Sequence, residues 1–217
     1  WSTSLPTIAI GQGIAMTLLQ AANFYATIGN DGVGVTPRIV RGTVGEDGRL
    51  TPSEASAQKR LVSTETAETL QAILGDVVNG EGGTGALAAV PGFTIGGKTG
   101  TARKPLSNGR GYSNQYIATF AGLAPVLDPK VVVAVMVDEP YPIWGGVVAA
   151  PTFAKVMAAA LHDLDVAPTD PQPALGDALL RALAAADEAA RSEGPGTSAT
   201  DVTSPSPGMP SGAQEGQ

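Results

Sequence analysis

The chain has 217 residues, 43% hydrophobic but only 5% aromatic, so alanine, valine and leucine must fill a single core. It has no cysteine, which excludes a disulfide framework and thiol chemistry and is compatible with either redox compartment. The formal charge of −7 sits at one end: residues 1–162 carry 11 acidic and 11 basic groups, residues 163–217 carry 9 and 2. A neutral body with an acidic tail argues against a nucleic-acid partner, which selects a clustered basic surface.

Residues 14–28 place Ile14, Leu18, Ala21, Ala22, Tyr25 and Ile28 at helical spacing, after a Gly11-Gln12-Gly13 turn. Gln12 is expected to serve that turn. Gly29-Asn30-Asp31-Gly32 ends the helix. Residues 33–44 read as extended, with Pro37 restricting them to an edge or irregular strand, and Asp47-Gly48 as a turn. Ser63 or Thr64 is expected to cap a second helix with its body at 66–78, presenting Leu70, Ile73, Leu74 and Val77 as one apolar face. A glycine-rich loop at 79–85 follows, read as structural.

Residues 103–115 read as a polar loop between antiparallel strands. Arg103, Lys104 and Arg110 give it either a positive substrate rim or ordinary solvated charges. Strands are expected at 116–123 and 131–137, the second apolar enough for a buried central position. Asp138-Glu139 lacks a neighbouring histidine, so no metal site is expected. After a turn at Trp144-Gly145-Gly146, a closing helix over 149–164 has Pro151 near its first turn and packs Phe153, Val156, Met157, Ala160 and Leu161 onto the sheet. His162 reads as a helix-end residue, because no Gly-x-Ser-x-Gly elbow accompanies it. Pro171 and Pro173 open a linker at 166–191, in which 175–191 could form one Ala-rich helix. Residues 192–217, rich in Pro, Gly and Ser, are expected to be disordered. The longest apolar run, 131–137, is too short for a membrane span, and no signal peptide opens the chain at Trp1. Trp1 reads as a cut through a domain, leaving residues 1–165 as part of one.

The chemistry concentrates at Gly96-Gly97-Lys98-Thr99-Gly100-Thr101. In an extended strand Lys98 and Gly100 share one face, Thr99 and Thr101 the other. Twist or a bulge at the glycines could bring the lysine and both hydroxyls onto one ligand, and the set suits a carboxylate or phosphate. The alternative is an edge strand with a solvated lysine, but three glycines in five residues are entropically costly there. Residues 92–99 formally spell a nucleotide-binding phosphate loop. Phe93 and Ile95 interrupt its turn, however, and Gly100, Pro105 and Gly109 prevent the helix that must follow.

The stretch matches a Lys-Thr-Gly box. Together with Gly11-Gln12-Gly13, Thr17-Leu18-Leu19-Gln20, Gly82-Gly83-Thr84-Gly85, Phe120-Ala121-Gly122-Leu123-Ala124-Pro125 and Gly145-Gly146, the chain resembles the C-terminal half of a class B penicillin-binding protein transpeptidase domain, of the septal cell-division type. One departure is Leu18-Leu19 where the family reads Pro-Leu. The resemblance implies an α/β transpeptidase fold, an antiparallel sheet flanked by helices, with only its C-terminal part present.

It also implies D,D-transpeptidation of D-Ala-D-Ala stem peptides through a serine acyl-enzyme, inhibited by β-lactams. Lys98 and Thr101 would be catalytic; Lys98, Thr99, Gly100 and Thr101 would bind substrate. No cofactor or metal is implied. The implied partners are peptidoglycan stem peptides, the N-terminal half of the same domain, a membrane-embedded glycan polymerase and division proteins. The domain would face the outside of a bacterial cell membrane, anchored by a single pass beyond these residues. The family's Ser-x-x-Lys and Ser-x-Asn boxes lie upstream in sequence. Ser56-Ala57-Gln58-Lys59 spells the first, but on the wrong side of Gly11-Gln12-Gly13 and in polar surroundings. A β-lactam-sensing receptor domain and a D,D-carboxypeptidase or β-lactamase are the alternatives.

Overall fold

The computed structural model describes residues 8, 11, 14–54, 57–106 and 111–169. Gln12, Ser56, Arg110 and everything expected beyond Thr169 lie outside them.

Helix α1 is Leu18–Gly29, starting four residues later than its periodicity suggests. The cause is a capping box: Thr17 Oγ1 accepts from the Gln20 amide (3.2 Å), and Gln20 Oε1 accepts from the Thr17 amide (2.8 Å). Thr17 is thereby held extended, and Leu18 takes the first helical position without the family's proline. Beyond α1, Asp31 (φ 53°) and Gly32 (φ 81°) turn the chain back.

The extended region 33–44 resolves into two separate strands. β1 (Val33–Val35) pairs antiparallel with β4 (Gln58–Arg60). β2 (Gly42–Val44) pairs with β3 (Leu50–Pro52), the hairpin turning at Asp47-Gly48. Helix α2 (Thr64–Asn79) is capped by Ser63, whose Oγ accepts from the Thr66 amide at 3.1 Å. Its buried face is Ala67, Gln71, Leu74 and Val78; Ile73 is exposed. That helical face includes a polar member because buried Gln71 donates to the Ile28 carbonyl at 2.8 Å, joining α2 to the end of α1.

A short 3-10 turn, Ala86–Ala88, leads to the main sheet. β5 (Gly96–Pro105), β6 (Tyr112–Ala124) and β7 (Val131–Asp138) are antiparallel in that order. The polar hairpin tip is shorter than expected, since both strands run into it. Among the described residues, β6 lies between β5 and β7 in this sheet. β7 is apolar because helices pack against both of its faces. Period-two alternation on β6 sends Phe120 to one face and Leu123 to the other.

Helix α3 (Gly145–Asp163) covers the first face with Phe153, Met157 and Leu161, all fully buried; the Phe153 and Phe120 rings lie 4.6 Å apart. Val156 points outward, and Pro151 falls in the helix interior, because α3 begins at Gly145 rather than Ala149. At 19 residues α3 is long and apolar enough to cross a membrane, but its buried stripe makes it a core helix here. Ile28 and Leu74 cover the opposite face. The chain stays attached beyond α3: the Thr169 amide donates to the Gly92 carbonyl at 2.9 Å.

Tyr25 packs among Ile28, Leu74 and Leu123, and burial raises its phenol from 10.0 to about 12. The folded state therefore keeps a proton that the unfolded state loses. Stability is unaffected below about pH 10 and falls as pH rises from about 10 to about 12. Urea titrations at pH 9 and pH 11.5 should show this loss, and Tyr25→Phe should reduce it relative to the parent.

Candidate active site

β5 carries the Lys-Thr-Gly box along a sheet edge. Its pairing runs without a shift from Gly96↔Leu123 to Arg103↔Tyr116, so no bulge bends it at the glycines. Among the described residues its only paired neighbour is β6. Successive residues of an antiparallel strand aim their backbone polar groups at opposite edges. The Thr99 carbonyl accepts from Lys98 Nζ (2.9 Å) and the Ile95 carbonyl from Asn79 Nδ2 (3.1 Å), so the odd-numbered residues face away from β6. By that alternation the Thr101 N–H also faces the open edge.

The side chains follow the expected division of faces, yet partly converge. Lys98 is exposed, on the face opposite Thr99, and its length lets Nζ curl over the edge to Thr99 Oγ1 at 3.3 Å. Thr99 Oγ1 lies 3.0 Å from Thr84 Oγ1. Thr101 Oγ1 is engaged elsewhere, accepting from the Gly145 amide at the start of α3 (3.1 Å). Lys98, Thr99 and Thr84 thus form one polar cluster, with Thr101 anchored alongside. No carboxylate pairs with Lys98 among the described residues.

Other candidates are used differently. Lys104 is not a free rim charge: Nζ reaches Asp138 at 2.9 Å and Glu139 at 2.7 Å across the sheet. Its hydrogen bonds to Glu139 and then Asp138 raise its pKa above the usual lysine value. The same contacts give Asp138 and Glu139 a partner. Arg103 Nε donates to the Tyr116 hydroxyl at 3.0 Å with its guanidinium over the ring. Lys59 is an exposed residue on β4, opposite Gly34. His162 is exposed in the last turn of α3.

Sequence reasoning missed Thr84 and the amide of Gly145. Both reach the site through tertiary packing, Thr84 from the loop treated as structural and Gly145 from the expected turn. The repeated glycines at both places were the available signal.

Fold and site together define an α/β domain whose lysine-bearing edge strand can receive an anion. The chain belongs to the penicillin binding protein transpeptidase domain family, whose model matches residues 1–158. Its relatives include the penicillin-binding protein PbpB of Mycolicibacterium smegmatis, 42% identical over 187 residues, covering 81% of this chain and 29% of that protein. The probable peptidoglycan D,D-transpeptidase PenA of Neisseria meningitidis is 40% identical over 167 residues, 76% of this chain and 27% of that protein. Among solved structures, penicillin binding protein 3 from Mycobacterium tuberculosis complexed with aztreonam matches with a TM-score of 0.68 and 36% identity, over 79% of this chain and 40% of that one. The chain spans less than a third of the length of these two curated relatives.

Two glycines of β5 should respond differently to substitution. A Cβ on Gly97 would lie 2.5 Å from Phe120 Cε1 and 2.8 Å from the Ala121 carbonyl, both in the packed sheet. Gly97→Ala should cost about 1–3 kcal/mol. A Cβ on Gly100 would crowd Thr119 Oγ1 and touch Thr119 Cβ at an ordinary 3.7 Å; rotation of that hydroxyl can relieve the first contact, so Gly100→Ala should cost about 1 kcal/mol or less. Thermal unfolding of both variants checks the order.

Proposed function

We propose that this chain supplies the Lys-Thr-Gly side of a peptidoglycan D,D-transpeptidase site, with the nucleophilic serine contributed from outside residues 1–217. The observation that carries the reading is the open edge of β5, where Lys98 Nζ and the Thr99 hydroxyl meet beside the outward Thr101 N–H. The relatives named as transpeptidases and penicillin-binding proteins support it. So does a solved neighbour complexed with the β-lactam aztreonam. The one Ser-x-x-Lys sequence ends in Lys59, on an exposed two-stranded sheet, which suits a nucleophile box poorly.

In this reading the acyl donor lies along β5. Its carboxylate takes hydrogen bonds from Lys98 and Thr99, charge-assisted and therefore strong. The serine oxygen attacks the penultimate D-Ala carbonyl, and the Thr101 N–H with the nucleophile's own N–H holds the oxyanion. The serine proton passes through the lysine network to the nitrogen of terminal D-Ala, which leaves. An amine of a neighbouring stem then attacks the ester, gives up its proton along the reverse route and frees the serine. Gly100 keeps the strand flat beside the substrate. The complete protein would be anchored in a bacterial cell membrane with this domain outside, working with a membrane-embedded glycan polymerase and division proteins.

In the complete protein, Lys98→Ala should slow β-lactam acylation about a hundredfold, an active-site contact of roughly 2–4 kcal/mol, while the exposed position leaves the melting temperature unchanged. Stopped-flow acylation measures it, and a rate within twofold of the parent would remove β5 from the chemistry. The 217-residue chain alone should take up no covalent β-lactam. An intact-mass increase mapping to Ser56 would overturn the assignment of the nucleophile.

A further inference from the structure

Thr84 has no part in the scheme above, yet its hydroxyl is 3.0 Å from that of Thr99. Its backbone is held on both sides. The Gly85 amide donates to the Val77 carbonyl at 2.9 Å, and the Gly83 amide to the Gly80 carbonyl at 3.0 Å, tying the loop to the end of α2. On the other side, the start of α3 presses so close that a Cβ on Gly146 would collide with the Thr84 carbonyl. The exposed Thr84 side chain is thereby presented to Thr99 from a backbone held between α2 and α3.

The proton count gives it a task. An ammonium only donates, so Thr99 Oγ1 accepts from Lys98. A hydroxyl has one proton to give. If Thr99 gives it to Thr84, it faces an incoming anion with lone pairs and repels it. If Thr84 donates to Thr99, both acceptor positions of Thr99 are filled and its own proton is left for the cleft. An anionic ligand selects the second arrangement.

We propose that Thr84 is a positioning residue that donates to Thr99 Oγ1 and so directs the Thr99 proton at the carboxylate of the acyl donor. The inference rests on the transpeptidase reading of the Lys98 strand. It concerns anion recognition alone.

The test uses the complete protein and two probes, a penicillin with its free carboxylate and the corresponding neutral ester. Thr84→Val keeps the branched shape and removes the donor; Thr84→Ser restores the donor. Acylation by the free acid should fall about tenfold in Thr84→Val and stay within twofold in Thr84→Ser. Acylation by the ester should stay within twofold in both, because no anion needs the Thr99 proton. Equal losses on acid and ester would show that Thr84 only holds the loop, and overturn the proposal. So would a Thr84→Val rate within twofold on the acid, or a Thr84→Ser variant as slow as Thr84→Val. Lys98→Ala run in parallel separates two failures. If it slows acylation by the acid while Thr84→Val does not, only the relay is lost. If neither variant slows it, the carboxylate site on β5 is lost with it.

Discussion

In the proposed site, β5 must meet two opposed demands. One edge and both faces have to be packed tightly enough to fix the strand, while the other edge stays open to a ligand. On β5 itself the packing surface at Gly97 is backbone, set against side chains of β6 and α3. Gly97 lets the strand lie directly on Phe120, where a Cβ would come within 2.5 Å of the ring, and Phe120 in turn rests on Phe153 of α3. Because the interior is close-packed, a displacement of α3 would be transmitted through these rings to the strand. The same helix donates its first amide to Thr101 Oγ1, so the position of Thr101 is set by the helix that supports the sheet. Strand, central phenylalanines and helix start therefore act as one rigid support for the Lys98 cluster.

The electrostatics are arranged around the same edge. Lys104 is also on β5, but Asp138 at the end of β7 and Glu139 just beyond it neutralise it. Arg103 is held against the Tyr116 ring and hydroxyl. Lys98 has no acidic partner among the described residues, and its ammonium rests on neutral oxygens of Thr99. A cation bound only to neutral acceptors retains its capacity to pair with an incoming carboxylate. A cation already between two carboxylates does not.

What the sequence disclosed is what local rules control. The alternation that separates Lys98 from Thr99, the Ser63 cap, the Asp47-Gly48 turn and the stop at residues 29–32 each depend on a few neighbouring residues, and each is present. Legibility fell where partners are distant in sequence. The sequence leaves Lys104 as either a rim charge or a solvated one because its acids lie 34 and 35 residues further on and meet it only through the register of three strands. The apolar run at 131–137 reports burial of both strand faces, which two helices supply, and leaves the strand's neighbours along its edges unspecified. Ile73 and Val156 were assigned to buried faces by helical spacing alone, which fixes an angle around the axis but not where the neighbouring element ends. Thr84 is legible only as part of a glycine-rich loop, since its contact with Thr99 exists only once α2, β5 and α3 have closed around it.

An open strand edge is a hazard as well as an opportunity, because its unpaired N–H and C=O groups can template pairing with another chain. β5 is 10 residues long, which makes the hazard larger. The groups that guard it are side chains. Asn79 Nδ2 covers the Ile95 carbonyl, and Lys98 Nζ covers the Thr99 carbonyl. A strand from another molecule would have to displace both and desolvate an ammonium in the process. A short anionic ligand faces a different balance. It need only draw the Lys98 head from a neutral carbonyl towards a charge, exchanging a weaker hydrogen bond for a stronger one. In the proposed site, the lysine that blocks strand addition would thus also be the group that favours a carboxylate, so that protection of the edge and selection of the ligand would follow from one side chain.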